Sequence, residues 1–292
     1  MKSTPLIAAF VLLAFAANSV LCRLALHSTR IDPASFTGIR LLSGAVTLWL
    51  LVRVGRHRQR AGVQRTGQQR LGGDWSSAAA LLIYALAFSF AYVAVTTGTG
   101  ALLLFGAVQL IMISTGVLAG ERVDWMIGGG WLIAVSGLVL LLLPAVAAPP
   151  FDKAALMLCA GIAWGVYSLR GRRSQDPLRD TAGNFARSAP FAVLIAALLW
   201  SQTSIDRNGA LLALLSGSIA SGLGYAAWYT VLPRLSAIVA ANLQLSVPVI
   251  AAFGGVLFTA EAISPRLAIS STLVLGGVAV VTRRSLLNRA RG

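Results

Sequence analysis

The sequence predicts an all-α integral membrane protein with ten transmembrane helices, and three observations lead to this. Hydrophobic residues make up 57% of the 292 residues and charged residues only 11%, whereas a soluble domain carries roughly 25% charged residues. The hydrophobic residues fall into ten runs, each close to the roughly 20 residues that cross a bilayer as a helix. Lys and Arg concentrate in every second loop between these runs, which is the pattern of the positive-inside rule.

The same composition excludes several other classes of protein. The apolar excess excludes a disordered chain, and Cys22 and Cys159, both within apolar runs, provide no disulfide framework. The net charge of +15 lies between the apolar runs and at the C-terminus, without an aromatic-interleaved basic patch. The charge therefore indicates membrane topology, and no nucleic-acid partner is predicted.

Each apolar run is predicted to be a helix, because a backbone in lipid must satisfy its own hydrogen bonds. The first run follows Lys2 but has no clean A-x-A cleavage site after it, so it is interpreted as a helix rather than a signal peptide. The predicted helices cover residues 5–26, 34–53, 76–96, 98–119, 124–143, 153–170, 182–201, 208–230, 236–259 and 265–282.

The distribution of Lys and Arg predicts the orientation. With the N-terminus in the cytoplasm, 17 of these residues lie on the inner side and 4 on the outer side, and the loop 53–70 alone holds six of the inner ones. Because cytoplasmic loops carry the excess of Lys and Arg, the chain is predicted to be a multi-pass protein of the bacterial inner membrane with both termini cytoplasmic. Two cytoplasmic termini require an even number of helices, in agreement with ten.

An internal repeat relates the two halves of the chain. Residues 97–143 align with residues 237–283 at a constant offset of 140 without a gap. Both stretches contain the same features in the same order: an apolar helix, a terminal Glu, a short turn and a Gly-containing helix. The coinciding residues include Ala101 with Ala241, Glu121 with Glu261, and Gly137 with Gly277.

The repeat predicts two five-helix units, residues 1–146 and residues 147–292. An offset near 147 also places Arg40 over Arg187, each early in the second helix of its half. Because five is odd, the second unit must enter the membrane inverted. Inverted repeats are a transporter architecture in which the substrate site lies near the midplane between the halves.

Further landmarks recur at corresponding places in the halves. Pro248 precedes Glu261 by thirteen residues, Gly120-Glu121 closes the fourth run, and Val108 stands where a proline would be expected in the first half. The paired segments are Trp164-Gly165 and the weaker Phe15-Ala16-Ala17-Asn18. With these motifs the chain resembles EamA-type members of the drug/metabolite transporter superfamily. The resemblance implies ten helices in two inverted repeats and, as in similar bacterial exporters, the export of amino acids or related metabolites.

The ninth run holds a candidate binding segment around Pro248. A mid-helix proline lacks an N–H and would free the carbonyl of Gln244, which in a bilayer must meet a neighbouring helix, water or a ligand. Asn242 and Ser246 lie on one helix face and Gln244 points away from both. Either that pair or Gln244 faces a cavity, unless the proline is only a packing kink.

Aromatic and amide residues deep in other runs complete the predicted site. Such rings can stack on a flat organic substrate or hold a cation over a ring face, and amides can hydrogen-bond its polar groups. The predicted substrate-binding residues are Asn18, Tyr84, Phe88, Tyr92, Gln109, Trp164, Tyr167, Tyr225, Asn242, Gln244, Ser246 and Pro248.

The charged residues limit the mechanism. All nine acids map to loops or helix ends, which disfavours coupling through an intramembrane carboxylate. Arg40 and Arg187 lie about six residues inside their helices and either snorkel to the interface or enter the cavity. Glu121 and Glu261 are predicted to pair with Arg122 or Arg266.

The predicted function is export of small metabolites, foremost neutral or aromatic amino acids, by alternating access. A multidrug carrier for organic cations is the alternative, because it too needs an apolar, aromatic cavity. An intramembrane enzyme is remote, since no catalytic set lies within the spans. The sequence also shows no metal spacing, cofactor motif or nucleotide-binding loop.

The topology can be tested with single cysteines introduced into a variant without Cys22 and Cys159. In intact cells, an impermeant maleimide should leave cysteine at position 60 unlabelled and label cysteine at position 147 or 205, because only the last two are predicted to face outward. Labelling at position 60 would contradict the orientation and the inverted repeat that depends on it.

Overall fold

The protein is all-helical in the residues that the computed structural model describes, which are 4–59, 72–118, 125–143, 149–235 and 237–290. Each of the ten predicted runs is helical, and two of the runs are interrupted. The helices are α1 Thr4–Ser28, α2 Pro33–Gln59, α3 Trp75–Tyr92, α4 Thr97–Leu118, α5 Trp125–Leu142, α6 Phe151–Gly171, α7 Pro177–Leu198, α8 Arg207–Leu215, α9 Gly224–Val231, α10 Ala237–Leu243, α11 Ser246–Thr259 and α12 Pro265–Ala290.

Six helical segments of the described ranges are long and apolar enough to cross a membrane. Shorter apolar stretches lie in α5, α11 and α12. The spans are Leu6–Ser28, Pro33–Val54, Trp75–Tyr92, Thr97–Gly116, Phe151–Gly171 and Arg207–Arg234. This arrangement is that of a multi-pass membrane protein.

Acidic residues mark the beginnings of several helices, which agrees with their predicted place at helix ends. The side chains of Asp74, Asp176 and Asp206 accept hydrogen bonds from backbone N–H groups in the first turns of α3, α7 and α8. Such caps satisfy N–H groups that have no partner within the helix. The cap at Asp176, with a proline directly after it, explains why α7 begins at Pro177, five residues before the predicted run.

A π-helical segment, Ser216–Leu223, joins α8 to α9 in one rod. Its small residues allow α2 to approach closely: a Cβ atom on Gly217 would meet Ser43 Oγ and the Arg40 carbonyl. Wider π turns interrupt α-helices frequently at functional sites, and here the segment brings two serine side chains to the centre of the molecule.

The helices α5 and α12 pack against each other in an antiparallel pair. Gly130 lies beside Gly277 and Val281, whereas Gly137, further along α5, lies beside Ser270, which comes earlier in α12. A Cβ atom on Gly130 would lie 2.6 Å from the Gly277 carbonyl oxygen. The two backbones therefore touch where both helices lack side chains, as small residues allow in membrane proteins.

Two further helix pairs are antiparallel, α2 with α7 and α4 with the α10–α11 rod. The direction follows from the order of contacts along each pair, since residues later in one helix meet residues earlier in the other. Between α2 and α7, Gly38 lies beside Ala192 and Gly44 beside Phe185. Between α4 and the α10–α11 segment, Gly98 lies beside Ala252 and Gln109 contacts Ala241.

Adding side-chain volume at the glycine seam should destabilise the protein. Gly277→Val would force its Cβ against the Gly130 backbone, and overpacking of this kind costs about 1–3 kcal/mol. Its neighbour Gly276 is a matched control, because a Cβ there meets nothing within 4 Å. Thermal unfolding of the purified variants should show a lower midpoint for Gly277→Val than for Gly276→Val. Equal midpoints would contradict the backbone contact.

Candidate substrate-binding site

A buried polar cluster joins α1, α3, the π-helical segment and α9. Asn18 Nδ2 donates to Tyr84 Oη at 3.0 Å, and Asn18 Oδ1 accepts from Ser216 Oγ at 2.6 Å. Tyr225 Oη donates to Tyr84 Oη at 2.9 Å. All four side chains are buried, so the amide and hydroxyl groups satisfy one another away from water. Three predicted site residues thereby meet at one point.

Arg40 lies fully buried against this polar cluster. Its Nε donates to Ser221 Oγ at 3.0 Å, and its Nη2 donates to Tyr225 Oη at 2.7 Å and to Tyr84 Oη at 3.1 Å. The guanidinium carbon also lies 5.0 Å from the ring centre of Phe88 and 5.3 Å from that of Tyr84. Of the two predicted alternatives for Arg40, snorkelling to the interface is therefore wrong.

Arg187, the counterpart of Arg40 in the second half, lies in a different environment. Its Nη1 donates to the Gly72 carbonyl at 2.6 Å, and its guanidinium lies over the Trp75 ring at 5.7 Å. Gly72 lies just before α3 and Trp75 is the first residue of α3. The Arg187 side chain therefore extends to the end of the helices, as snorkelling predicts.

The indole of Trp164 stands at the centre of an aromatic cluster. Its ring centre is 4.5 Å from Tyr225, 5.0 Å from Tyr84, 5.2 Å from Phe15 and 5.4 Å from Tyr167. These five rings belong to four helices, namely α1, α3, α6 and α9, and the hydroxyl groups of Tyr84 and Tyr225 also contact Arg40 of α2. The predicted aromatic residues thus form one continuous apolar wall beside the polar cluster.

Gln244 extends the site into the ninth run, but not in the predicted way. Its Oε1 accepts from Trp164 Nε1 at 2.7 Å. Its backbone carbonyl, predicted to be free, accepts from the N–H of Val247 at 3.1 Å. The run is broken rather than kinked: α10 ends at Leu243, and Pro248 lies buried in the first turn of α11, where a missing N–H leaves no bond unmade. The prediction of an exposed carbonyl is wrong.

Three other predicted residues lie outside the polar and aromatic clusters or outside the described side chains. Gln109 Nε2 donates to the Ala241 carbonyl, and Gln109 Oε1 is buried without a partner in the described part of the chain. Ser246 is exposed and its Oγ donates to the Leu243 carbonyl at 3.0 Å, so it faces away from the site. Asn242 lies in α10, and its side chain is outside the described residues.

A partly buried ion pair lies at one end of the site. Arg23 Nε lies 2.9 Å from Glu261 Oε1, with exposed side-chain fractions of only 8% and 13%. Arg23 Nη1 donates to the Tyr92 and Val93 carbonyls, and Glu261 Oε2 accepts from the Thr97 N–H at 2.7 Å. This pair connects the end of α1, the α3–α4 turn and the end of α11. Tyr92 therefore belongs to this end of the site.

The predicted partner of Glu261 was Arg266, and this was wrong. Arg266 Nε instead donates to the Leu140 carbonyl at 2.7 Å, at the end of α5. The prediction compared neighbours in sequence, whereas the ion pair joins residues 238 positions apart. Glu121 and Arg122 lie outside the described residues.

A cleft of about 700 Å³ opens at the other end of the helices. Asp74 and Arg170 form an ion pair at its rim at 2.8 Å. Partial burial tends to raise the pKa of Asp74, but hydrogen bonds from Ser77 and the Arg170 guanidinium outweigh it and lower this pKa. The residues lining the cleft are Gly73, Asp74, Ser77, Thr115, Val166, Leu169, Arg170, Arg172, Arg173, Ser174, Asp180, Asn184 and Tyr229.

Tyr229 connects this cleft to the aromatic cluster. Its Oη donates to the Tyr167 carbonyl at 3.1 Å, and the two rings pack with centres 4.9 Å apart. Tyr167 in turn stacks on Trp164. The rings of Tyr229 and Tyr167 would therefore separate a small molecule in the cleft from the buried polar cluster. Within the described ranges, no three His, Cys, Asp or Glu residues converge as metal ligands would.

Sequence reasoning missed two serines of the polar cluster. Ser216 and Ser221 are not among the predicted site residues, yet both donate to Asn18 Oδ1, at 2.6 and 3.4 Å. Their spacing of five residues matches no α-helical face but matches the π-helical turn. That spacing, together with a polar residue at Asn18, was the signal available in the sequence.

Comparison with known proteins relates this chain to a transporter family. The chain is 48% identical over 290 residues to a Pseudomonas aeruginosa protein described as uncharacterized, covering 99% of this chain and 98% of that one. It also superposes on a crystal structure over the whole of both chains with a TM-score of 0.69 at 21% identity, which shows a shared fold. Residues 153–283 match the model of the EamA-like transporter family.

The apolar helices and the family match identify a helical membrane transporter of small molecules. The chain belongs to the EamA-like transporter family.

Proposed function

We propose that this protein exports small metabolites, foremost neutral or aromatic amino acids, from the cytoplasm by alternating access. The observation that carries the proposal is the buried site itself, in which an apolar aromatic wall and a polar cluster meet. Asn18, Tyr84 and Tyr225 offer hydrogen-bonding groups, and Trp164 offers a ring face. Amino acids with apolar side chains combine the two chemistries that such a site can bind.

The packing of the helices supports two inverted five-helix repeats. A twofold axis in the membrane plane makes equivalent helices antiparallel, and the second, fourth and fifth helical runs of the two halves pack as antiparallel pairs. Contacts between non-equivalent helices show the same symmetry. The first helix of one half, α1, packs on the eighth and ninth runs, and the first helix of the other half, α6, packs on the third and fourth. Ten membrane crossings in two units, 1–146 and 147–292, account for both observations.

The state of the two ends supports transport by alternating access. The Arg23–Glu261 pair closes one end, while the cleft at Asp74 and Arg170 opens at the other. With the orientation that the Lys and Arg distribution predicts, the open end faces the cytoplasm. An exporter loads its substrate from that side, and the conformation described here is the one that would receive it.

The charges around the site favour amino acids over the alternative, organic cations. The buried charged side chains in the described residues are Arg23 and Arg40, both positive. A quaternary ammonium ion would enter a site that lacks a buried acid of its own to pair with, at a high cost in desolvation. A zwitterion of zero net charge avoids that cost.

The proposal is tested by efflux or uptake in liposomes that contain only this protein. Labelled phenylalanine, methionine and threonine should cross the membrane faster than in protein-free liposomes. Quaternary ammonium compounds should cross no faster than in protein-free liposomes. A pH gradient across the membrane tests whether transport is coupled to protons. Asn18→Ala should reduce the rate by about tenfold or more, since it leaves buried polar groups unpaired. Ser246→Ala, at an exposed position, should not. Rapid transport of quaternary ammonium compounds and of no neutral amino acid would overturn the proposal.

The Arg23–Glu261 pair should act as the gate at the outer end. Removing one partner of a buried ion pair destabilises the arrangement by about 3–5 kcal/mol, so Glu261→Gln should favour outward opening. Cys22, fully buried next to Arg23, is a native reporter once the exposed Cys159 is replaced by serine. Its labelling rate by a maleimide should rise about tenfold or more in Glu261→Gln.

Two controls separate gating from unfolding. Asp152→Asn removes an exposed ion pair with Lys153 and should leave the labelling of Cys22 unchanged. A cysteine introduced at buried Ser168, near the other end of the molecule, should not become more reactive in Glu261→Gln. An unchanged Cys22 rate in Glu261→Gln would show that the ion pair has no gating role.

A further inference from the structure

We propose that Arg40 is the carboxylate-binding residue of this transporter, so that its substrates are organic monocarboxylates with an apolar or aromatic side chain. This rests on the proposed function in one respect, namely that the buried cluster is the substrate site. It goes further by naming the chemical group that a substrate must carry and the side chain that recognises it.

The first observation is an incomplete set of hydrogen bonds. Arg40 is fully buried, and its Nε and Nη2 donate to hydroxyl groups of Ser221, Tyr84 and Tyr225. Its Nη1 is also buried and has no hydrogen-bond partner in the described residues. A guanidinium has five N–H donors and no acceptor, and buried donors are rarely left unpaired in native structures. An acceptor supplied by a ligand would complete the set.

The second observation is an uncompensated charge. Arg40 contacts hydroxyl groups and the rings of Tyr84 and Phe88, none of which is an anion. The Cys22 thiol is also near enough to interact electrostatically, but an ordinary thiol is protonated at neutral pH. Arg23, the other buried arginine in the described ranges, has Glu261 as its counter-ion. Arg40 has no such carboxylate among the residues that the structure describes.

The chemistry of the guanidinium selects the anion. Its planar fork matches a carboxylate in shape and forms two parallel charge-assisted hydrogen bonds with it. The hydroxyl groups of Tyr84 and Tyr225 already lie within hydrogen-bond distance of this fork and can reorient toward a bound oxygen. Trp164, whose ring centre is 4.5 Å from that of Tyr225, places an apolar face where the remainder of the molecule would lie.

The counterpart Arg187 provides a matched control within the same protein. It occupies the equivalent place in the second half, but its Nη1 donates to the Gly72 carbonyl and its guanidinium lies on Trp75. A substitution there removes the same side chain at the end of the helices. Of these two arginines, Arg40 adjoins both the polar cluster and the aromatic neighbours of Trp164, and Arg187 adjoins neither.

The test measures ligand binding to the purified full-length chain, by thermal stabilisation and by quenching of tryptophan fluorescence. The ligands are phenylalanine, 3-phenylpropionate, which lacks the amine, phenylalaninamide, which lacks the carboxylate, phenylethylamine, and inorganic phosphate. The wild type should bind phenylalanine roughly ten- to a hundredfold more tightly than phenylalaninamide, the ratio expected from charge-assisted hydrogen bonds. Arg40→Gln should bring this ratio close to one, and Arg187→Gln should leave it unchanged.

Arg40→Lys provides a second variant in case the glutamine variant does not fold. It keeps the charge without the planar fork, so the preference for the carboxylate should weaken but not vanish. A structural role alone would lower the affinity for acid and amide together and leave their ratio unchanged. That result, or a wild type that binds none of the carboxylates or binds phosphate equally well, would overturn the proposal.

The panel also separates this inference from the proposed function. If 3-phenylpropionate binds in an Arg40-dependent manner while no amino acid is bound or transported, the amino-acid proposal fails and the carboxylate site stands. If phenylalanine is transported and Arg40→Gln leaves the preference over phenylalaninamide intact, the amino-acid proposal stands and the role of Arg40 fails.

Discussion

The structure depends on how a guanidinium is kept in the middle of a membrane protein. Transfer of a charge from water into a low-dielectric interior is costly unless it is paired and hydrogen-bonded. Arg40 meets this constraint with hydroxyl groups from α3, the π-helical segment and α9 and with two ring faces. Each of these helices is thereby fixed relative to α2, and Asn18 of α1 holds the same hydroxyl groups from the other side. The cluster joins four helical runs around one charge.

The sequence predicted the helices well because membrane spans are long, apolar and nearly continuous. All ten runs are helical, and seven of the predicted site residues, including Asn18, Trp164 and Gln244, lie in or directly against the central clusters. Aromatic and amide residues within an apolar run are expected to pack against other helices. Their depth within the runs therefore indicated that they face other helices.

The sequence could not predict features that arise between helices distant in the chain. Glu261 pairs with Arg23 rather than with its neighbour Arg266, because the packing of the helices brings α11 beside α1. A proline at position 248 indicates an interrupted helix, but not whether the interruption is a kink or a complete break. The break at Gln244 and the π-helical turn at Ser216 both depend on the neighbouring helices that satisfy the backbone there.

The glycine seam between α5 and α12 has a consequence for the biosynthesis of this protein. Gly130 and Gly277 touch across the seam, yet 147 residues separate them in the chain. At a synthesis rate of about 5–20 residues per second, the partner of Gly130 emerges roughly 7–30 seconds later. During that interval the smooth face of α5 has only lipid, or an insertion factor, to cover it. The helix α12 therefore completes the packing of a helix made much earlier in translation, and termination before α12 would leave that face without its partner.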